Sequence, residues 1–388
     1  MKKCFYLLLL TWILAACSSQ TKETENNVLK AALKETEVSL KDLFSRIEVI
    51  PLETNDTALM DHVHRIRKVN NKYYILNEDY PGFTYINILV YDAEGNFLHT
   101  IGKKGQGPEE YPYLIYDMDI DAEKDLVYMM SPLGMLYLYR TDGSFVRKMN
   151  MPEGLAYHNL QLLDDNRLLS WSGSTDIESD AMCILDADSA KLIKGLWRDH
   201  KTSNWAISGG FSYVYQDKVY STPSIDRQVY EVTSDSLRIA YEWDFGEDNY
   251  DASSVRSQLE GLTPVDKEEE WKEMRKTGGV PYTLLKQGQT NKYYFTNVLG
   301  ILGERDDKGY AKNYFNLFYK KATGRSFFFK KTTEGLAIRP DMTTEEALYQ
   351  LIPTEDLELL LPVLDETEKA KVMKRVEDDN PCLVKFIP

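Results

Sequence analysis

Basic side chains are in short supply: 46 Lys and Arg face 61 Asp and Glu, for a net charge of −15. The resulting field repels phosphates, which argues against generic binding to nucleic acid or to anionic lipid surfaces. No Lys/Arg run forms a stripe that tracks a phosphate backbone. Cysteine is equally scarce, with 4 in 388 residues, and no CxxC occurs, so a redox or zinc motif of that kind is excluded. There are only 5 His, and neither HExxH nor GxSxG is present. Long apolar runs are missing except at the N-terminus, and that one falls well short of the ~20 residues a spanning helix needs. What the chain does have is 43% hydrophobic and 28% charged residues, a balance that builds a packed core rather than a disordered chain. Aromatics reach 12%, with 26 Tyr, and flat rings pack well on pleated strands.

The N-terminal run starts with Lys2 and Lys3, continues through Phe5 to Leu14, and ends in Ala15-Ala16-Cys17. A charged start, a short apolar stretch and small residues before a cut describe a secretory signal peptide. Leu14-Ala15-Ala16-Cys17 resembles the bacterial lipobox, in which the Cys thiol is acylated and the bond before it is cut. The resemblance implies a signal peptide over 1–16 and a lipid anchor on Cys17. Residues 17–37 are then expected as lipidated Cys and flexible tether, because 18–27 carry no aliphatic or aromatic side chain. Ser18-Ser19 lacks the Asp that resembles an inner-membrane retention signal, so the expected location is the outer membrane, with either leaflet open. Of the remaining cysteines, Cys183 and Cys382 would enter an oxidising compartment, which leaves a bridge open. Two residues so far apart in sequence rarely meet the required ~4.4–6.8 Å Cα spacing, and buried free thiols are expected.

From about residue 70 one phrase recurs: an alternating apolar run, a turn with Asp, Gly or Ser, and a second alternating run. Its turns fall at Gly95, Gly143, Ser189, Ser234 and about Thr323. Each copy reads as a β-hairpin. Short strands precede most copies, as at 72–76, 126–130, 167–171 and 218–220, giving about four strands per repeat, the size of a propeller blade. A lone four-stranded unit cannot cover its own faces, so neighbours must do so. A sandwich remains open, but the regular period favours radial repetition. The wider gap from Ser234 to Thr323 is read as about two periods, partly filled by a helical insert near 253–278: Thr263 caps it, Pro264 opens it, and Trp271 and Met274 share a face. Capping-box spacings at Thr343–Glu346 and Asp365–Glu368 predict a helical segment over about 343–377. The chain ends in a strand, 382–387, whose natural partner is 46–50, since pairing the termini closes a ring and removes an exposed edge.

The segments Ile50-Pro51-Leu52-Glu53-Thr54, Gly102 to Tyr111, and Asp379-Asn380-Pro381-Cys382-Leu383 together resemble the six-bladed β-propeller lipoproteins of Bacteroidetes, related in fold to NHL-type propellers. The resemblance implies an all-β, six-bladed propeller over 38–388 with a helical insert and a partly helical C-terminal segment. It also implies residence in the cell envelope. It supplies no catalytic residues.

Candidate chemistry is thin. The Gly102–Tyr111 segment lacks the GKS/T ending of a phosphate loop and reads as a tight connection between blades. Asp117, Asp119 and Asp121 share a strand face but lack the Gly and Glu of a calcium loop, so they read as a solvated strand end. His62 and His64 also share a face, yet two imidazoles fall short of the three protein ligands that a catalytic zinc needs. No metal, cofactor or catalytic residue is therefore expected. In a propeller, outer-to-inner connections and middle-strand loops gather on one face. Tyr80, Tyr85, Glu109, Tyr111, Trp171, Arg227 and Arg305 are the candidate ligand contacts there. The functional expectation is a non-catalytic binding or scaffolding module held to the membrane by its lipid, with a glycan, peptide or envelope protein as ligand. The alternative is a hydrolase or lyase with acidic and His residues at the central tunnel.

Overall fold

The structure, a computed structural model, describes residues 27–79, 82, 86–152, 155–164, 166–174, 182–197, 212–222, 225–300 and 313–388. Six antiparallel sheets follow one another along the chain: blade one at 62–101, two at 117–150, three at 155–197, four at 212–244, five at 283–329, and six at 342–387 completed by 46–51. The innermost strands of successive blades touch one another around a central channel. The fold is a six-bladed β-propeller: the repeat predicts the radial arrangement, and the family resemblance implies its six blades.

The alternation of apolar residues along each strand explains the ring. A buried cluster fills each of the six seams between neighbouring blades. The seam between blades four and five is the most aromatic, and in the seam between blades five and six Phe318 lies between Phe295 and Phe329. Each such ring contributes roughly 1.5–3 kcal/mol by leaving water.

Closure uses both termini. Arg46–Pro51 is the outer strand of blade six and pairs antiparallel with Cys382–Ile387, from Arg46↔Ile387 to Pro51↔Cys382. Asn380 ties the same corner: its side-chain amide donates to the carbonyls of Glu53 (2.8 Å) and Ala58 (2.5 Å) and its oxygen accepts from the Met60 N–H at 2.9 Å. The Asn380 N–H donates to Thr54 Oγ1 at 2.8 Å, and Arg375 bridges the carbonyls of Leu52 and Asn380. The two terminal phrases that carry the family resemblance are thus halves of one knot. Gly95 belongs to it too, since a Cβ there would lie 2.2 Å from the Pro51 carbonyl oxygen.

Three expectations need correction. Residues 27–37 are not tether: Asn27–Lys30 adds in parallel to Leu237–Asp244 as a fifth strand on blade four, with Leu29 buried, and Thr36 bonds Phe328. The gap from Ser234 to Thr323 holds one blade step, not two, because Ala252–Leu259 and Pro264–Thr277 fill it with helix. Trp271 and Met274 do bury there, against Val255 and Leu259. The Thr343–Glu346 spacing makes a tight strand-to-strand turn, with the Ala347 N–H on Thr344 Oγ1, instead of a helix. Only the second capping box starts one, at Glu366–Val372, where Asp365 accepts from the Glu368 N–H at 3.0 Å. Cys183 and Cys382 are buried thiols outside any disulfide, and burial pushes the Cys382 thiol up to about 11.

Candidate functional site

Antiparallel strands send their connections to two opposite ends. At one end every connection within a blade spans two to five residues. At the other end lie the long ones, including both helices that precede blade five and the 3-10 turn and helix within blade six. The long-loop end is the face on which the channel opens beside the first residues of the inner strands.

Three inner strands carry the same four-residue phrase at equivalent positions: His64-Arg65-Ile66-Arg67 in blade one, Tyr116-Asp117-Met118-Asp119 before and in blade two, and His158-Asn159-Leu160-Gln161 in blade three. A β-bulge skips His64 in the first pairing and His158 in the third. A bulge inserts one unpaired residue and re-aims the side chains beyond it, so Arg65 and Arg67 turn toward blade two. The phrase then stacks into three rungs.

The lower rungs are closed. In one, Asp119 Oδ1 accepts from Arg67 Nε (2.8 Å) and the Ile120 N–H (3.1 Å), and Oδ2 accepts from Gln161 Nε2 (2.7 Å) and the Leu162 N–H (2.6 Å). In the next, Asp117 Oδ2 accepts from Asn159 Nδ2 and the Leu160 N–H, both at 2.8 Å, and Oδ1 accepts from the Met118 N–H at 2.9 Å. Each carboxylate therefore pairs the free inner edge of the next blade, a backbone edge that burial would otherwise leave unsatisfied. The solvated strand end expected for Asp117 and Asp119 is overturned: both are buried. Asp121 alone follows the expectation by capping its own turn.

Arg65 differs from Arg67. Its Nε lies 3.4 Å from Asp117 Oδ1, outside hydrogen-bond geometry, and Nε and Nη2 are buried with no hydrogen-bond partner among the described residues. Burial, and then the neighbouring Arg67, draw its pKa down to about 10. Burial likewise raises the Asp117 carboxyl, against the pull of Arg65 and Arg67. A cavity of about 530 Å³ runs from His64 past Arg65 and Arg67 to Val69 and Asp217 at the far end.

The top rung is open. His64 meets Tyr116 at 6.3 Å between ring centroids, and Tyr116 stacks on His158 at 6.2 Å. Tyr116 is 38% exposed. Burial lowers the His158 pKa. Behind His64, Glu78 Oε1 lies 2.9 Å from its Nε2, and His62 packs edge-to-face on its ring.

The residues expected to contact ligand are scattered by comparison. Cys17, Tyr80, Tyr85 and Arg305 lie outside the described residues. Tyr111 is fully buried, its hydroxyl donating to the Ile86 carbonyl. Trp171 is buried in the seam between blades three and four and donates to Ser221 Oγ at 2.7 Å. Glu109 is exposed on the connection into blade two. Arg227 lines a separate cavity of about 530 Å³ beside the helical insert, held by the Trp243 carbonyl and Glu242. In the Gly102–Tyr111 connection, the Glu110 carboxylate accepts from the Gly107 N–H (2.8 Å) and Lys103 (2.8 Å). A Cβ on Gly105 would lie 2.0 Å from that carboxylate, so the loop's glycine makes room for its own Glu. Sequence reasoning does not find Tyr116, His158 or Glu78. The recurring four-residue phrase carries a signal for the first two.

No helix among the described residues is long and apolar enough to cross a membrane. No curated protein matches the sequence significantly. Among solved structures, the chain is similar to one named "Putative exported protein" from Bacteroides fragilis, at 18% identity and a TM-score of 0.73, covering 93% of this chain and 100% of that one. It is also similar to a member of the DUF4221 family from Bacteroides vulgatus, at 12% identity and a TM-score of 0.54, covering 89% and 96%. At such identities the likeness shows the fold alone. A family profile described as "Domain of unknown function (DUF4934)" matches residues 24–386, and the chain belongs to that family.

Proposed function

We propose that this protein is an exported, lipid-anchored propeller that binds an oxygen-rich polar ligand at the channel mouth without turning it over. The ligand is a glycan, a peptide or a segment of an envelope protein. The observation that carries the reading is Arg65: a buried guanidinium with two N–H groups unbonded, below an open rung of His64, Tyr116 and His158. Buried donors without partners cost about 1–3 kcal/mol each, and an incoming carboxylate, phosphate or carbonyl oxygen would recover that cost. The flat faces of Tyr116 and His158 suit a sugar ring or a peptide plane. The carboxylates that a hydrolase would need for acid–base work, Asp117 and Asp119, are each committed to a neighbouring blade.

Export and anchoring rest on the Lys2-Lys3 start, the short apolar run and Cys17, and on the exported-protein description of the Bacteroides fragilis neighbour. The kinship with NHL-type propellers belongs to the same reading. Hydrolase or lyase activity is the second reading, favoured by the convergence of His62, His64 and Glu78 at the mouth.

Screening the purified protein against glycan and peptide libraries, with crosslinking in intact cells, tests the binding reading. Saturable binding of acidic or carbonyl-rich ligands, lost with Tyr116→Ala, supports it. Silence in both formats, or steady consumption of a bound ligand, overturns it.

A further inference from the structure

We infer that His62, His64 and Glu78 form a three-ligand site for a divalent transition-metal ion of the zinc class at the channel mouth. Their ligand atoms all lie within 4.8 Å of one another. The set comes from one hairpin. His62 pairs directly with Glu78 across the first two strands of blade one, and the bulge that skips His64 brings its ring to the same place. A regular strand would not do this on its own; the inserted residue does.

The chemistry of the set is specific. Two imidazoles and one carboxylate are the protein ligands of one class of catalytic zinc site and of facial-triad iron, in both cases leaving positions open. Bonds of ~2.0–2.1 Å at a tetrahedral angle put ligand atoms roughly 3.3 Å apart. His64 Nε2 and Glu78 Oε1, at 2.9 Å, need to part only slightly to hold an ion. That close approach is not a hydrogen bond, since Nε2 counts among the buried nitrogens without one. Glu78 is buried, with 5% of its side chain exposed, which fixes the anionic ligand, while exposed His62 provides the way in. The sequence reading finds two imidazoles and no third ligand. Glu78 is the third ligand, and only the strand pairing brings it beside the two histidines.

Tyr116 flanks the site through its contact with the His64 ring. An ion here would present its open positions to any molecule entering the mouth, and would select ligands with an oxygen donor. The site does not depend on the binding reading, because it can hold an ion with or without a glycan or peptide beside it.

Zn²⁺ titration of the full-length protein by calorimetry tests it, with Co²⁺ absorption as the coordination readout. The expected result is one saturable equivalent, with Co²⁺ d–d bands of a low-coordinate nitrogen–oxygen field. His62→Ala and Glu78→Gln should each weaken Zn²⁺ tenfold or more, whereas remote His99→Ala should leave it unchanged. His62 is exposed, so its variant keeps the fold, and thermal unfolding without metal checks the others. No saturable Zn²⁺ binding by the folded protein overturns the proposal. So does wild-type affinity in folded Glu78→Gln, which would mean a two-histidine surface contact only.

Discussion

Asp119 joins three blades at once: Arg67 of blade one donates to one of its oxygens at 2.8 Å, and Gln161 of blade three donates to the other at 2.7 Å. The ring is therefore held at its narrowest radius by polar bonds, while apolar seams hold it further out. Breaking a buried pair by removing one partner costs about 3–5 kcal/mol, mostly because the other charge is stranded. Asp119→Ala should lower the unfolding free energy by about that amount in urea titrations. Replacing both partners, as in Arg67→Met with Asp119→Leu, should cost less than the single change. A single variant within about 0.5 kcal/mol of wild type would remove the rung's structural role.

Asn380 is the closure knot. Truncation to Ala removes four side-chain hydrogen bonds, to Glu53, Ala58, Met60 and, at 3.5 Å, the Tyr91 hydroxyl. At about 1 kcal/mol each, with buried acceptors left unpaired, the expected loss is about 2–4 kcal/mol. Hydrogen exchange should show the protection loss first in the pairing of Arg46–Pro51 with Cys382–Ile387. Uniform loss across all blades would argue against a local knot.

Lys321 lies over the faces of Tyr215 and Tyr294, at 4.1 and 4.4 Å, and donates to Gln289. Burial draws its pKa down from 10.5 to about 8. A depressed lysine makes the native state hold fewer protons than the unfolded chain between those two values, so stability should rise with pH across about 8 to 10.5. Below pH 8 the native state bears the full cost of charging it. Lys321→Met should flatten that rise, and NMR titration of the labelled side chain should find a midpoint near 8. A midpoint near the ordinary lysine value would contradict the burial.

Cys17→Ala should abolish incorporation of a labelled fatty acid and move the protein from the membrane to the soluble fraction of the envelope. One acyl chain gives only marginal binding, so a variant that stays with the membrane would point to an anchor other than lipid.

Much of the architecture is legible without coordinates. The hairpin turns at Gly95, Gly143, Ser189, Ser234 and about Thr323 all fall between the third and outer strands of blades, because those turns need the same few residue types each time. The inner strands are harder to read. Arg65, Asp117 and Asn159 hold one position in three blades, but as cation, anion and amide. A search for like residues passes over them, although complementarity is why they differ. Thr343–Glu346 misleads because a Thr followed three residues later by Glu serves a turn as readily as a helix start. Glu78 is out of reach, since its closeness to His62 and His64 depends on strand register and a bulge.

The central claim is that the functional surface is the open rung at the long-loop end. The most direct measurement is the affinity of a library-selected ligand for wild type, Tyr116→Ala, His158→Ala, and Glu123→Ala on a turn at the opposite end of the channel. The account predicts at least tenfold weaker binding for the first two variants, with unchanged thermal unfolding, and no change for the third. Weakening by Glu123→Ala with Tyr116→Ala and His158→Ala at wild-type affinity would contradict it.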